Sequence, residues 1–122
     1  MHLTSRELDV MAVLWERGSA TVAEVRDSLK EDLAYTTVLT VLRGLEAKRA
    51  LRHQEEGRAY RYLPRVKPNK IGGRSLERLL DKVYQGSREL LLTQLVADGD
   101  VSAEELKRLR RLIDERLEEV DG

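Results

Sequence analysis

Apolar residues recur at helical spacing near the start of the chain and predict two consecutive helices. The first has an apolar stripe from Leu8 to Trp15 and follows the capping-box sequence Thr4 to Glu7. Gly18 is expected to end it, because glycine readily adopts the left-handed conformation found after a helix. A second capping box, Thr21 to Glu24, predicts a short helix from Val22 to about Leu29 after a tight turn.

A third helix is predicted from Ala34 to Lys48, where the sequence reads AYTTVLTVLRGLEAK. One face has apolar residues at i, i+3, i+4 and i+7 and is expected to be buried; it contains Val38, Val41, Leu42 and Leu45. The opposite face is expected to be exposed and carries mainly hydroxyl-bearing, aromatic and basic side chains; they are Tyr35, Thr36, Thr37, Thr40, Arg43 and Lys48, with Ala47 beside Lys48.

The exposed face of this third helix is unusual for a solvated surface, which normally has pairs of Glu and Lys. Hydroxyl groups hydrogen-bond phosphates or base edges, and arginine bonds guanine through two hydrogen bonds. Helix, short helix and exposed-hydroxyl helix follow one another in helix-turn-helix order, which predicts that the third helix enters a DNA groove. The alternative is an ordinary surface helix built from poor helix formers.

After Lys48 the apolar period changes from 3.6 to 2, which predicts a β-hairpin. Its strands start at Leu51 and Ala59 and its turn lies at Gly57. A two-stranded ribbon directly after a recognition helix is typical of a wing, and its basic residues are expected to bind DNA phosphates; they are Arg52, Arg58 and Arg61, followed by Arg65 and Lys67. The alternative is a solvated hairpin that closes the core.

Pro68 and two glycines lie in the segment Arg65 to Gly73, which predicts a hinge between modules. Three amphipathic helices are predicted beyond it: one from Leu76 to about Gly86, one from Arg88 to Ala97, and one capped by Ser102. Three short helices enclose too little interior to be stable alone.

These helices are therefore expected to pair with a second copy of the chain, unless they pack back onto the first module as a monomer. The residues expected to form the dimer contact are Leu76, Leu79, Leu80, Val83, Leu91, Leu95, Leu106, Leu109, Ile113 and Leu117. The predicted fold is mainly α with a small β-hairpin wing. Residues 1–67 form a winged helix-turn-helix and residues 68–122 a helical dimerisation domain.

Composition narrows the class of protein without identifying it. The 122 residues include no Phe and no Cys, so the core is aliphatic and disulfides and thiolate metal sites are excluded. A reducing, cytoplasmic location is expected, since neither a signal peptide nor a membrane span is evident. The net charge is zero, but residues 43–67 hold eight basic and three acidic residues, enough for a local phosphate footprint.

Residues capable of catalysis or metal binding are sparse. Only His2 and His53 supply imidazoles, and a single histidine beside Glu55 and Glu56 is typical of a surface residue rather than a metal site. No serine lies in a triad-like arrangement, and neither a P-loop nor a dinucleotide-binding glycine motif is present. We therefore expect neither an enzyme nor a bound cofactor.

Three stretches, LTSRELDVMAVLW, YTTVLTVLRGLEAK and LRHQEEGRAYRYLP, resemble the penicillinase-repressor family of transcriptional regulators, the BlaI/MecI group with its copper-responsive CopY relatives. The resemblance implies a winged helix-turn-helix, a helical dimerisation domain, and repression by a homodimer bound to a dyad-symmetric operator. It also implies that Tyr35, Thr36, Thr37, Thr40 and Arg43 face DNA. A winged-helix module that binds protein rather than DNA is the alternative.

Departures from the family pattern concern mainly the inducing signal. Gly44 stands where relatives commonly carry a longer, often basic residue. Antibiotic-responsive members are cleaved between Asn and Phe, and this chain has Gln94 and Leu95 at the corresponding positions. A signal-dependent protease of unknown identity is therefore an expected partner only if it cleaves between Gln and Leu. Copper sensing through a cysteine motif is excluded, because the chain has no cysteine. Control of the hinge at Pro68 to Gly73 by a ligand or metal bound at the dimer interface remains an alternative.

Overall fold

The computed structural model describes residues 1–122, which form six helices and one three-stranded antiparallel sheet. The helices are α1 (Ser5–Arg17), α2 (Val22–Ser28), α3 (Tyr35–Ala47), α4 (Pro68–Lys82), α5 (Arg88–Ala97) and α6 (Ala103–Asp121), and the strands are β1 (Ala20–Thr21), β2 (Leu51–Glu56) and β3 (Ala59–Pro64). The chain divides into two compact units, Met1–Ser75 and Leu76–Gly122.

Both predicted capping boxes are present and fix the starts of α1 and α2. In α1 the backbone N–H of Glu7 donates to the Thr4 hydroxyl, and the N–H of Thr4 donates to the Glu7 carboxylate at 2.9 Å. Thr21 and Glu24 repeat this arrangement at α2. Gly18 has φ 83 and ends α1, as its position in the sequence predicted.

The core of the first unit is aliphatic and joins all its elements. Its fully buried side chains include Met11, Leu14, Val25, Leu42 and Leu45, which come from α1, α2 and α3. Burying about ten such side chains supplies most of the driving force for folding at roughly 25 cal/mol per Å² of apolar area.

The β2–β3 hairpin forms the predicted wing and adds one aromatic side chain to the core. Leu51 pairs with Pro64 and His53 with Tyr62, and Gly57 turns the chain at φ 62. Tyr62 is 1% exposed, and burial is the main reason that the pKa of its phenol is raised. The sequence did not predict β1, whose two residues pair with Tyr62 and Arg61 and make β3 the central strand.

The predicted hinge is wrong over Pro68 to Gly73, because these residues form the first turns of α4. Proline is tolerated in the first turn of a helix, where its missing N–H costs no hydrogen bond. Neither glycine has a positive φ, and Ile71 packs against the core of the first unit. The start of this helix is therefore Pro68 rather than Leu76.

The second unit contains the predicted α5 and α6 with their serine caps. The hydroxyl of Ser87 accepts from the N–H of Leu90, and that of Ser102 accepts from the N–H of Glu105 at 3.1 Å. Most of its apolar side chains remain at the surface; neither α5 nor α6 has a buried residue. This unit is helical in structure without an enclosed core of its own.

Candidate nucleic-acid interface

The outer face of α3 is open to solvent and has few intramolecular contacts. Thr36, Thr40, Arg43 and Ala47 are exposed along it, and Tyr35 is 46% exposed at its start. The Thr40 hydroxyl donates to the Thr36 carbonyl at 2.9 Å, so its oxygen remains free to accept a hydrogen bond. This face presents hydroxyls and a guanidinium without an acidic residue.

One edge of α3 is anchored to α1 through a partly buried ion pair. The Lys48 ammonium lies 2.7 and 2.9 Å from the two carboxylate oxygens of Glu7, which is 8% exposed. Burial alone would raise the pKa of Glu7, but hydrogen bonds from Lys48 and from the Thr4 N–H outweigh it and lower that pKa. The same carboxylate therefore caps α1 and holds the end of α3.

The opposite edge of α3 is anchored to the wing. His53 Nδ1 lies 2.8 and 2.6 Å from the two carboxylate oxygens of Glu46. The His53 ring centroid is 4.5 Å from that of Tyr60 and 5.7 Å from that of Tyr62. The hydrogen bond with Glu46 joins strand β2 to α3, and the aromatic contacts join β2 to β3 within the wing.

These two anchors determine which charge of α3 is available to a ligand. Glu46 and Lys48 each have an intramolecular partner, whereas Arg43 has neither an ion pair nor a side-chain hydrogen bond. The Arg43 guanidinium is consequently the free cation of this helix. Its role in DNA binding stays a prediction.

The basic residues of the wing fall into two groups. Arg52 and Arg58 are exposed and without a partner, and thus are free to contact phosphate. Arg61 is half-buried, lies 2.9 Å from Glu56 and 3.2 Å from Glu24, and donates to the Ser19 hydroxyl. Because the Arg61 side chain is held by two carboxylates, it connects the wing to α2 and is not freely available to DNA.

The predicted DNA-binding side chains therefore differ in how available they are to a ligand. Tyr35, Thr36, Thr40, Arg43, Arg52 and Arg58 are exposed, Thr37 is half-buried, and Lys48 and Arg61 are ion-paired. The anchoring roles of Glu46 and Glu7 were not predicted from the sequence, because their partners lie 7 and 41 residues away. No local pattern signals pairing over such separations.

The predicted dimer residues all lie in the second unit, and most of them are exposed. Leu76 is 54% exposed, Val83 62%, Leu95 58% and Leu117 55%. Leu91 and Leu109 are half-buried and Leu80 is 9% exposed. Exposed apolar surface of this extent on several helices marks an interaction site.

A helix-turn-helix followed by a two-stranded wing, with a hydroxyl- and arginine-bearing third helix, defines a winged-helix DNA-binding protein. Comparison with known proteins agrees: a family model described as penicillinase repressor matches residues 3–115. The chain belongs to the penicillinase repressor family, whose members are transcriptional repressors and not enzymes.

Two curated relatives and one solved structure illustrate the similarity. The penicillinase repressor of Bacillus licheniformis is 27% identical over 116 residues, covering 93% of this chain and 91% of the relative. The transcriptional regulator BlaI of Mycobacterium tuberculosis is 36% identical over 118 residues, covering 93% of this chain and 84% of the relative.

The solved structure is that of monomeric Bacillus licheniformis BlaI in complex with the blaP half-operator. It is 32% identical, has a TM-score of 0.51, and covers 58% of this chain and 89% of that one. This likeness, together with the family match, shows that the chain is a winged-helix DNA-binding repressor of the BlaI/MecI type. None of the helices combines the length and apolar character needed to cross a membrane.

Proposed function

We propose that the chain represses transcription as a homodimer bound to a dyad-symmetric operator. Each subunit would place α3 in a major groove and the wing beside the adjoining backbone. The two half-sites would lie about one turn of DNA, roughly 34–36 Å, or a multiple of it, apart.

The observation that carries this proposal is the state of the charges on α3. Glu46, whose carboxylate would repel phosphate, is engaged by His53 at 2.6 Å, and Lys48 is engaged by Glu7 at 2.7 Å. Arg43 alone remains free, on the same helix as exposed Thr36 and Thr40. An arginine in this position reads guanine through O6 and N7, and threonine contacts bases or phosphates.

The other predicted DNA-binding residues take different parts in this proposal. Arg52 and Arg58 bind phosphates directly, which fixes the wing on the duplex without reading sequence. Lys48 and Arg61 act through the elements they hold, because their charges are already paired with carboxylates. Tyr35, exposed at the start of α3, would contact the DNA backbone at the edge of the groove.

Dimer formation is supported by the second unit and by the relative bound to DNA. A half-operator carries one subunit of the Bacillus licheniformis protein, and two half-sites related by a dyad match a protein dimer with two-fold symmetry. In this chain the exposed leucines and valines of α4, α5 and α6 supply the apolar surface that such a dimer buries.

Selection of bound sequences from random duplex DNA tests the proposal and identifies the operator sequence in the same experiment. We expect enrichment of an inverted repeat whose half-sites are spaced by whole helical turns, and footprinting should protect both halves. Enrichment of a single, non-repeated site would contradict the dyad, and no enrichment at all would contradict sequence-specific binding.

A further inference from the structure

Arg49 lies between α3 and the first strand of the wing, and its backbone has a conformation that favours glycine. We infer that its guanidinium binds a DNA phosphate at the end of α3, and that the fold is less stable with arginine at this position than with glycine. This inference rests on the DNA-binding function proposed above and adds to the interface a residue that was not predicted from the sequence.

The backbone of Arg49 is left-handed, with φ 66. In this region the Cβ atom comes too close to the following carbonyl oxygen, so residues other than glycine destabilise the fold. Arg49 and Gln85 are the two residues of the chain other than glycine that have a positive φ. Glycine at position 49 should therefore give a more stable protein.

Hydrogen bonds at the end of α3 hold Arg49 in this conformation. Its N–H donates to the Glu46 carbonyl, and the N–H of Ala50 donates to the Leu45 carbonyl, each at 2.9 Å. These are the two hydrogen bonds of a Schellman motif, in which the residue that follows the helix is left-handed. Ala50 and Leu45 are both fully buried, so Arg49 cannot change its φ without disturbing the core.

Contacts within the chain do not explain an arginine here. The Arg49 side chain is exposed and has neither an ion pair nor a hydrogen bond, whereas the preceding Lys48 is bound to Glu7. A cation near the C-terminus of a helix interacts favourably with the last carbonyls. At an exposed position this effect is smaller than the unfavourable effect of the left-handed conformation on a residue with a Cβ atom.

The position of Arg49 suits a contact with the DNA backbone. It lies in sequence between two unpaired cations, Arg43 on α3 and Arg52 on β2, and its Cα is at most about 11 Å from that of Arg52. The 13 residues of α3 span about 20 Å, whereas the major groove is about 12 Å wide, so an end of the helix would lie near the phosphates that border the groove. Arginine binds phosphate through charge-assisted hydrogen bonds.

The variant Arg49→Gly tests the inference in the full-length chain, because stability and DNA binding should change in opposite directions. The midpoint of thermal unfolding, at fixed protein concentration, should rise by about 2–5 °C. Affinity for the selected dyad-symmetric site and for random duplex DNA should both fall by about three- to tenfold. The slope of affinity against salt concentration should decrease by about one for each bound chain.

Three further variants separate charge from backbone conformation. Gln85, in the second unit, is exposed and has φ 55, so Gln85→Gly should also raise the unfolding temperature but leave DNA affinity unchanged. Asparagine tolerates the left-handed region without the flexibility of glycine, so Arg49→Asn should weaken DNA binding as much as Arg49→Gly does. Arg49→Lys keeps the charge and should retain most of the affinity.

Failure of this inference and failure of the proposed function have different signatures. A native chain that binds no DNA would overturn both. Native binding together with unchanged affinity and salt slope in Arg49→Gly and Arg49→Asn would overturn the phosphate contact alone, as would an equal loss of affinity in Gln85→Gly. A loss confined to the selected site would also contradict a phosphate contact, and a lower unfolding temperature for Arg49→Gly would contradict the destabilising effect of arginine.

Discussion

The ion pair between Glu7 and Lys48 should contribute measurably to stability because it joins the recognition helix to α1. Substitution Glu7→Gln keeps an oxygen to accept the Thr4 N–H but removes the charge that binds the Lys48 ammonium at 2.7 Å. A hydrogen bond to a charged group is worth about 1.5–3 kcal/mol. Since the Lys48 side chain is 41% exposed and regains water, we expect a loss of about 1–2 kcal/mol.

Urea denaturation at fixed protein concentration measures this loss, and its pH dependence identifies its source. The pKa of Glu7 is lowered in the folded chain from its ordinary value of 4.5, so its ionised form stabilises the fold at neutral pH. That contribution should be complete above pH 4.5 and disappear as the pH falls through the lowered pKa. The difference between the native chain and Glu7→Gln should shrink over the same range.

Glu31 provides a matched control. It also accepts two hydrogen bonds from a basic side chain, Arg6, but both partners are nearly half exposed, so Glu31→Gln should change stability much less. Equal losses for Glu7→Gln and Glu31→Gln, or a loss for Glu7→Gln that does not vary with pH, would refute the reasoning.

Other predictions concern DNA binding and proteolysis. Arg43→Ala should weaken binding to the selected site by about 1–3 kcal/mol and to random DNA much less, whereas equal losses on both would exclude a base-reading role. Arg58→Ala should weaken binding to all sequences alike and reduce the salt slope by about one, as measured by fluorescence anisotropy. His53→Ala frees Glu46 beside the interface, so it should lower affinity for every DNA, and adding Glu46→Gln should restore part of it. Limited proteolysis should spare the bond between Gln94 and Leu95 under native conditions, because it lies inside α5, and rapid cleavage there would contradict a stable helix.

Local sequence signals predicted most of the first unit. Capping boxes at Thr4 and Thr21, the apolar period of α3 and the change to period two after Lys48 are features of neighbouring residues, and each was confirmed. The open face of α3 followed directly from the same period. Such local signals predict which side of a helix is buried, but not which distant side chains contact its edges.

Tertiary contacts account for what the sequence did not predict. The hinge was wrong because the helical conformation of Pro68 to Gly73 is helped by packing of Ile71 on a core formed far earlier in the chain. The two-residue strand β1 is too short for any pattern to reveal. Arg61 and Lys48 were predicted to bind DNA as free cations. In the structure they are paired with Glu24 and Glu7, which lie far from them in the sequence.

The central claim is tested most directly by titrating the protein with the selected dyad-symmetric site, with its isolated half-site and with random duplex DNA across a salt series. The mass of each complex is recorded in the same experiment. We expect a complex of two chains on the full site, tighter than on either other DNA and weakening steeply with salt. Equal, weak binding to all three would contradict sequence-specific repression by a dimer.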